Sequence, residues 1–137
     1  MRLYMLAPYI AQLAIDLEIE EDMATESPNE WCVNLDKDIS IIMREANPGF
    51  TLESPIAPVP QTNCEELFTD VMWGNLFGQG TGESTIGINA DGQYFTLSRT
   101  IPYELNYNDF KDLLEDFANY VDFWQTEVGK HQRASYT

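Results

Sequence analysis

Few residues in this chain have the type and spacing to do covalent chemistry. The only histidine is His131, inside the polar stretch 129–137, so a Ser-His or Cys-His pair would rest on a poorly anchored residue. Cys32 and Cys64 are too few for a disulfide framework and lack the Cys-x-x-Cys spacing of zinc or redox sites; they read as reduced thiols of a cytosolic protein. Carboxylates abound, but 23 Asp and Glu residues on one small chain form close pairs by chance, and no spacing singles out an acid/base pair. Asp36-Lys37-Asp38 and Asn89-Ala90-Asp91-Gly92 lack the spacing and closing Glu of a calcium loop and read as hairpin turns. Gly78, Gly80 and Gly82 follow a helical stretch and have no Lys-Ser/Thr after them, so they end a helix rather than cradle a phosphate. The expectation is a protein that is not an enzyme and holds no metal or cofactor.

Periodicity predicts the elements that carry these residues. Over residues 2–18, Leu3, Leu6, Ile10, Leu13 and Leu17 fall on one helical arc, while Tyr4, Pro8, Ile15 and Ile19 form a second apolar group on another side. Pro8 fits best in the first helical turn, where its missing N–H costs nothing. After an acidic link at 20–29, Trp31, Val33 and Leu35 alternate with Cys32 and Asn34, Ile39, Ile41 and Met43 alternate with Ser40, Ile42 and Arg44, and a turn at 46–49 precedes Phe50, Thr51 and Leu52. These read as a three-stranded antiparallel meander. Pro55, Pro58 and Pro60 cannot donate to a ladder, so the third strand is expected to end there or run along an edge.

A capping box at 62–65 opens a second helix over 64–77, whose apolar arc is unusually wide. Residues 85–89 and 94–101 form a hairpin around Asn89-Ala90-Asp91-Gly92. Asn106 or Asn108 caps a final helix with Phe110, Leu113, Leu114, Phe117, Val121, Trp124 and Val128 on one arc, and 130–137 read as a frayed polar tail. One α+β domain spanning 1–137 follows, with helix, three strands, helix, two strands, helix packed as a sheet-and-helix sandwich.

Charge bounds the partners. Against 23 acidic residues stand only 7 Lys and Arg, for a formal net charge of -16, so phosphate backbones and anionic lipid surfaces are repelled. Aromatics at 12% exclude a disordered acidic chain. The apolar stretch 3–14 is no secretory signal by pattern: Pro8 interrupts it, Arg2 is its only cation, and acids follow without a small-residue cleavage site. No run reaches the roughly 18 apolar residues that span a bilayer. What remains is apolar surface beyond one core's needs, on the first helix and especially the second, and this points to binding of another polypeptide.

This order of elements in an acidic chain resembles the class I type III secretion chaperones of the Tir-chaperone family, best over 64–128. The resemblance implies a bacterial cytoplasmic homodimer, or a heterodimer with another chaperone. Such a dimer holds the N-terminal segment of a secreted effector extended and export-competent, without cofactor or catalysis. It further implies cargo addition to a sheet edge with side chains entering apolar grooves. On that basis Leu67, Val71, Met72, Trp73, Leu76 and Phe77 are candidates for the dimer interface, the same helix that the wide apolar arc singles out. Leu6, Ile10, Ile15, Trp31, Val33, Ile41, Met43 and Leu52 are candidates for effector binding. Two alternatives stand beside it: an acidic inhibitor or immunity-type protein covering a basic site on a folded partner, and an enzyme working through carboxylates alone.

Overall fold

The computed structural model describes residues 5–36, 38–46, 48–60, 65–77 and 83–135, with the side chains of 36, 73–77 and 131–135 outside the description. The elements are α1 (Leu6–Asp16), β1 (Glu30–Asp36), β2 (Ile39–Glu45), β3 (Phe50–Pro58), α2 (Glu65–Phe77), β4 (Thr85–Ile88), β5 (Tyr94–Ile101) and α3 (Tyr107–Ser135). This is the predicted order of an α+β chain. All strand pairs are antiparallel and the sheet runs β1-β2-β3-β5-β4, leaving β1 and β4 at its edges.

Opposed residues on neighbouring strands share a face, and this alternation builds the core. Val33 stands opposite Ile41, Met43 opposite Leu52, Phe50 opposite Ile101 and Ile86 opposite Leu97, all buried. Leu6, Ile10 and Leu13 of α1, and Phe110, Leu114, Phe117, Val121, Trp124 and Val128 of α3, close over them. The Phe110 ring meets Phe50 edge-on at 5.4 Å and lies 5.4 Å from Tyr9, tying both helices to the sheet. On the sheet's other face, Cys32, Ile42, Glu53, Ser98 and Thr85 succeed one another across the five strands, a row of mostly short or polar side chains.

Local sequence explains the ends. Asn106 caps α3: its Oδ1 accepts from the Asp109 N–H at 2.8 Å, and its amide donates back to the Asp109 carboxylate at 3.2 Å. α1 closes with Ile19 N–H donating to Ala14 O at 2.9 Å and Glu18 N–H to Ile15 O at 3.3 Å, with Glu18 at φ 55 where glycine is usual. The Asn89 side chain accepts from Gln93 and Tyr94 and holds the β4–β5 turn, in which Gly92 takes φ 72. The capping box at 62–65 and the glycine break at 78–82 fall largely outside the described residues.

Two expectations are corrected. α3 runs on as helix to Ser135, beyond Val128, where its apolar stripe ends. The third strand does end inside the proline run, at Pro58, but it passes through Pro55 on the way, and the edge position is overturned: β3 is the sheet's central strand. The physical reason lies in which side each proline nitrogen faces. Val59 N–H donates to Gln93 O beside β5, so the Pro58 nitrogen, one residue earlier, points away from β5. Pro55 faces β2, whose pairing with β3 is in register only from Glu53 to Phe50, and a bulge between Pro55 and Ala57 lets the strand swing clear. Neither proline removes a bond from the β3–β5 ladder.

Candidate interaction surface

The groups with perturbed acidity do structural work. Asp16, at the end of α1, accepts a hydrogen bond from the Tyr107 hydroxyl at 2.6 Å, another from the Gln12 amide at 3.1 Å, and stands 3.5 Å from the Lys111 ammonium. The Tyr107 bond, then Gln12, holds its carboxyl below the usual value. Burial, then that carboxylate, pushes the Tyr107 phenol up to about 12. The pair is a clasp between α1 and α3. Partial burial, with Glu30 and Glu21 nearby, raises the Cys32 thiol and leaves it a poor nucleophile. Among the described residues no group of three or more His, Cys, Asp and Glu side chains could hold a metal ion, and no helix is long and apolar enough to cross a membrane.

The sequence-derived effector candidates separate cleanly by burial. Leu6, Ile10, Val33, Ile41, Met43 and Leu52 lie in the chain's own core, under α1 and α3, and are not surface residues in the folded monomer. Ile15 projects from α1 at 70% exposure, and Trp31 is half-buried near the sheet edge. Alternation identifies two strand faces but not which one the helices cover.

The α2 candidates divide in the same way. Leu67 and Val71 pack inward, with Phe68 beside them edge-on to Phe95 at 5.9 Å, whereas Met72 stands at 71% exposure on the opposite side. Trp73, Leu76 and Phe77 have side chains outside the description. The described half of α2 therefore spends part of its apolar surface on the core and turns one long apolar side chain to solvent.

The acidic link at 20–29 and the proline run at 55–60 each border a further surface. The outer edge of β1 is partly occupied by the link before it, where Met23 O accepts from Cys32 N–H at 2.8 Å and Ala24 bridges Trp31. Where β3 departs from β2, a cleft of about 430 Å³ opens between Asp38, Pro55–Pro58, Tyr94 and Gln125. Its only sequence signal was the proline run, which read as the end of a strand.

An edge-bearing antiparallel sheet backed on one face by helices, each with an exposed apolar side chain (Ile15, Met72 and Phe123), defines a binding domain. The profile of the Tir chaperone protein (CesT) family matches residues 10–125, and the chain belongs to that family. The Chlamydia pneumoniae protein CPj0713/CpB0740 is 31% identical over 70 residues, 51% of this chain and 53% of that protein, so the match spans about half the length of this curated relative. Among solved structures, a chain of the ExsC–ExsE complex superposes with a TM-score of 0.72 at 14% identity, over 88% of this chain and 91% of that one. A chain of the Yersinia pestis type III secretion chaperone SycH, in complex with a stable fragment of YscM2, gives 0.62 at 20% identity, over 88% and 97%. At those identities the likeness is one of fold.

Proposed function

We propose that this chain is a type III secretion chaperone of the bacterial cytoplasm, which binds the N-terminal segment of a secreted effector in extended form and keeps it competent for export. Family membership carries the reading. It is supported by sheet edges that can pair with an extended chain and by apolar side chains left at the surface of α1 and α2. Ile15 and Trp31 are the cargo contacts among the sequence-derived candidates, and the buried ones hold the surface in shape. The strongly acidic exterior keeps such an apolar-bearing protein dispersed. Catalysis has no part in it.

The working unit is a dimer built on α2, with Met72 at the interface and a second chaperone as an alternative partner. Light scattering at micromolar concentration should give twice the mass of one chain, and Met72→Asp should lower it without unfolding the protein, because the side chain is exposed. A monomer in the parent protein would sink the dimer. Co-purification from the native organism, followed by protease mapping of the bound protein, tests the cargo: an extended N-terminal segment supports the chaperone. A folded partner that dissociates in high salt would instead mark an inhibitor.

A further inference from the structure

Pro55, Pro58 and Pro60 shape a trough at the end of the sheet where β3 leaves β2. One half is the cleft of about 430 Å³ bordered by Asp38, Pro55, Pro58, Tyr94 and Gln125. The other is a hollow of about 650 Å³ bordered by Pro58, Pro60, Gly92 and Tyr94. Pro58 and Tyr94 belong to both, so the halves meet across them. These two residues stand opposite each other on β3 and β5, and Tyr94 shares the helix-free face of the sheet with Ser98, four residues on.

The tyrosine is held out rigidly. Its N–H donates to Asn89 Oδ1 at 3.2 Å and its carbonyl accepts from the Asn89 N–H at 2.9 Å, while the residue stays 42% exposed. Beside it the Val59 N–H donates to Gln93 O at 2.8 Å and pins the end of β3. A fixed backbone under an exposed aromatic ring lowers the ordering cost of binding.

What the walls offer selects the ligand. Prolines take three of the six positions from 55 to 60 and carry no N–H, and the Val59 N–H is engaged by Gln93, so an added β-strand would find few donors. Rings dominate instead. The Tyr94 hydroxyl and the second N–H of the Gln125 amide can donate, the first N–H being bound to Asp38 O at 2.6 Å. A polyproline II helix complements this surface: its rings stack on aromatic and proline rings, and its carbonyls, unbonded within the helix, accept from side-chain donors. Exposed carboxylates stand on both sides, Asp38 at the cleft and Asp91 next to Gly92, in a chain of formal net charge -16, which favours a cationic ligand.

We infer that this trough is a docking site for a proline-rich segment of a partner protein, bound as a polyproline II helix and flanked by arginine or lysine. Its prolines straddle Tyr94 and Pro58, and its cations meet Asp38 and Asp91. The trough lies at the Ile39 end of β2, whereas Trp31 stands opposite Met43 toward the other end, and Met72 belongs to a helix packed on the sheet's other face. The site is therefore separate from the cargo and dimer contacts and does not rest on the chaperone reading.

The test titrates the peptide Arg-Pro-Leu-Pro-Pro-Leu-Pro-Arg into the full chain and follows its amide NMR spectrum. The Gln125 side-chain amide and the Gln93 and Tyr94 backbone amides should shift, half-saturating below about 1 mM. Tyr94→Ala should weaken binding about tenfold, and Tyr94→Phe, which keeps the ring, about threefold. Asp38→Asn, at an exposed position, should weaken it about threefold and reduce its salt dependence, which keeps the inference testable if Tyr94→Ala disturbs the fold. The peptide with alanine in place of every proline should not bind. Equal binding by that version would show that the trough takes any extended chain, and shifts of the same amides on concentrating the chain alone would show that a second copy fills it. Either result would overturn the inference, as would no shift at about 1 mM peptide or shifts confined to α1, α2 or β1.

Discussion

Glu45, at the end of β2, closes the N-terminus of α1: its carboxylate accepts from the Met5 N–H at 2.6 Å and the Leu6 N–H at 2.9 Å. The helix has no side-chain cap of its own, so a strand residue about forty positions away satisfies two of its orphan donors and sets a negative charge on the positive end of its dipole. Glu45→Ala should lower stability by about 1–2 kcal/mol in urea unfolding. A loss below about 0.3 kcal/mol would show that water replaces the carboxylate at no cost.

Gly49 and Gly92 both adopt positive φ, at 87° and 72°, and they should respond differently to the same substitution. A Cβ on Gly49 would lie 1.8 Å from the Ile101 carbonyl oxygen, whereas a Cβ on Gly92 meets nothing within 4 Å. Gly92→Ala carries only the left-handed backbone cost of about 1 kcal/mol, but Gly49→Ala must also push β3 away from the end of β5, for a total of about 3 kcal/mol. Thermal unfolding of the two variants should rank them in that order, and equal losses would contradict the close approach.

The Asp16–Tyr107 clasp gives stability at two ends of the pH scale. The Asp16 carboxyl titrates below its ordinary 3.8, so its contribution is present above that value and is lost as pH falls through the lowered pKa. The Tyr107 phenol, raised from 10.0 to about 12, contributes fully below pH 10 and loses that contribution as pH rises through about 12. Tyr107→Phe should move the carboxyl resonance of Asp16 to titrate at higher pH and remove the alkaline loss. An unchanged Asp16 titration would mean that Gln12 and Lys111, not Tyr107, set it.

The helices were largely legible because each contains its own evidence: Leu6, Ile10 and Leu13 announce the buried arc of α1, and an asparagine at 106 or 108 announces the start of α3, the structure choosing Asn106. What sequence hid was relational. Val33, Ile41, Met43 and Leu52 share a face by alternation alone, yet only the docking of α1 and α3 decides that this face is covered. Leu67 and Val71 were grouped with Met72 on one wide arc, while the sheet takes the first two and leaves the third. The partnership of Glu45 with Met5 and Leu6, and the seat of the acidic link on β1, join residues whose separation no local pattern spans. Proline was read as a whole residue that ends a strand, when its effect depends on which neighbour its nitrogen faces.

Ser54 shows how the sheet tolerates Pro55 at its centre. The β2–β3 register, with Ile42 opposite Glu53, would set Ser40 opposite Pro55 two residues on, where Pro55 has no N–H to offer the Ser40 carbonyl. The hydroxyl of Ser54, fully buried, donates to that carbonyl at 2.7 Å instead. A serine in an otherwise apolar stretch of the core is thus the donor its neighbour lacks. Ser54→Ala should cost about 1–2 kcal/mol, since it removes the donor from a half-buried carbonyl. In a Pro55→Val background, where the restored backbone N–H can reach Ser40, the same substitution should cost about 1 kcal/mol less. Urea unfolding of the four proteins gives the coupling directly, and additivity within about 0.3 kcal/mol would show that Ser54 does not stand in for the proline's missing donor.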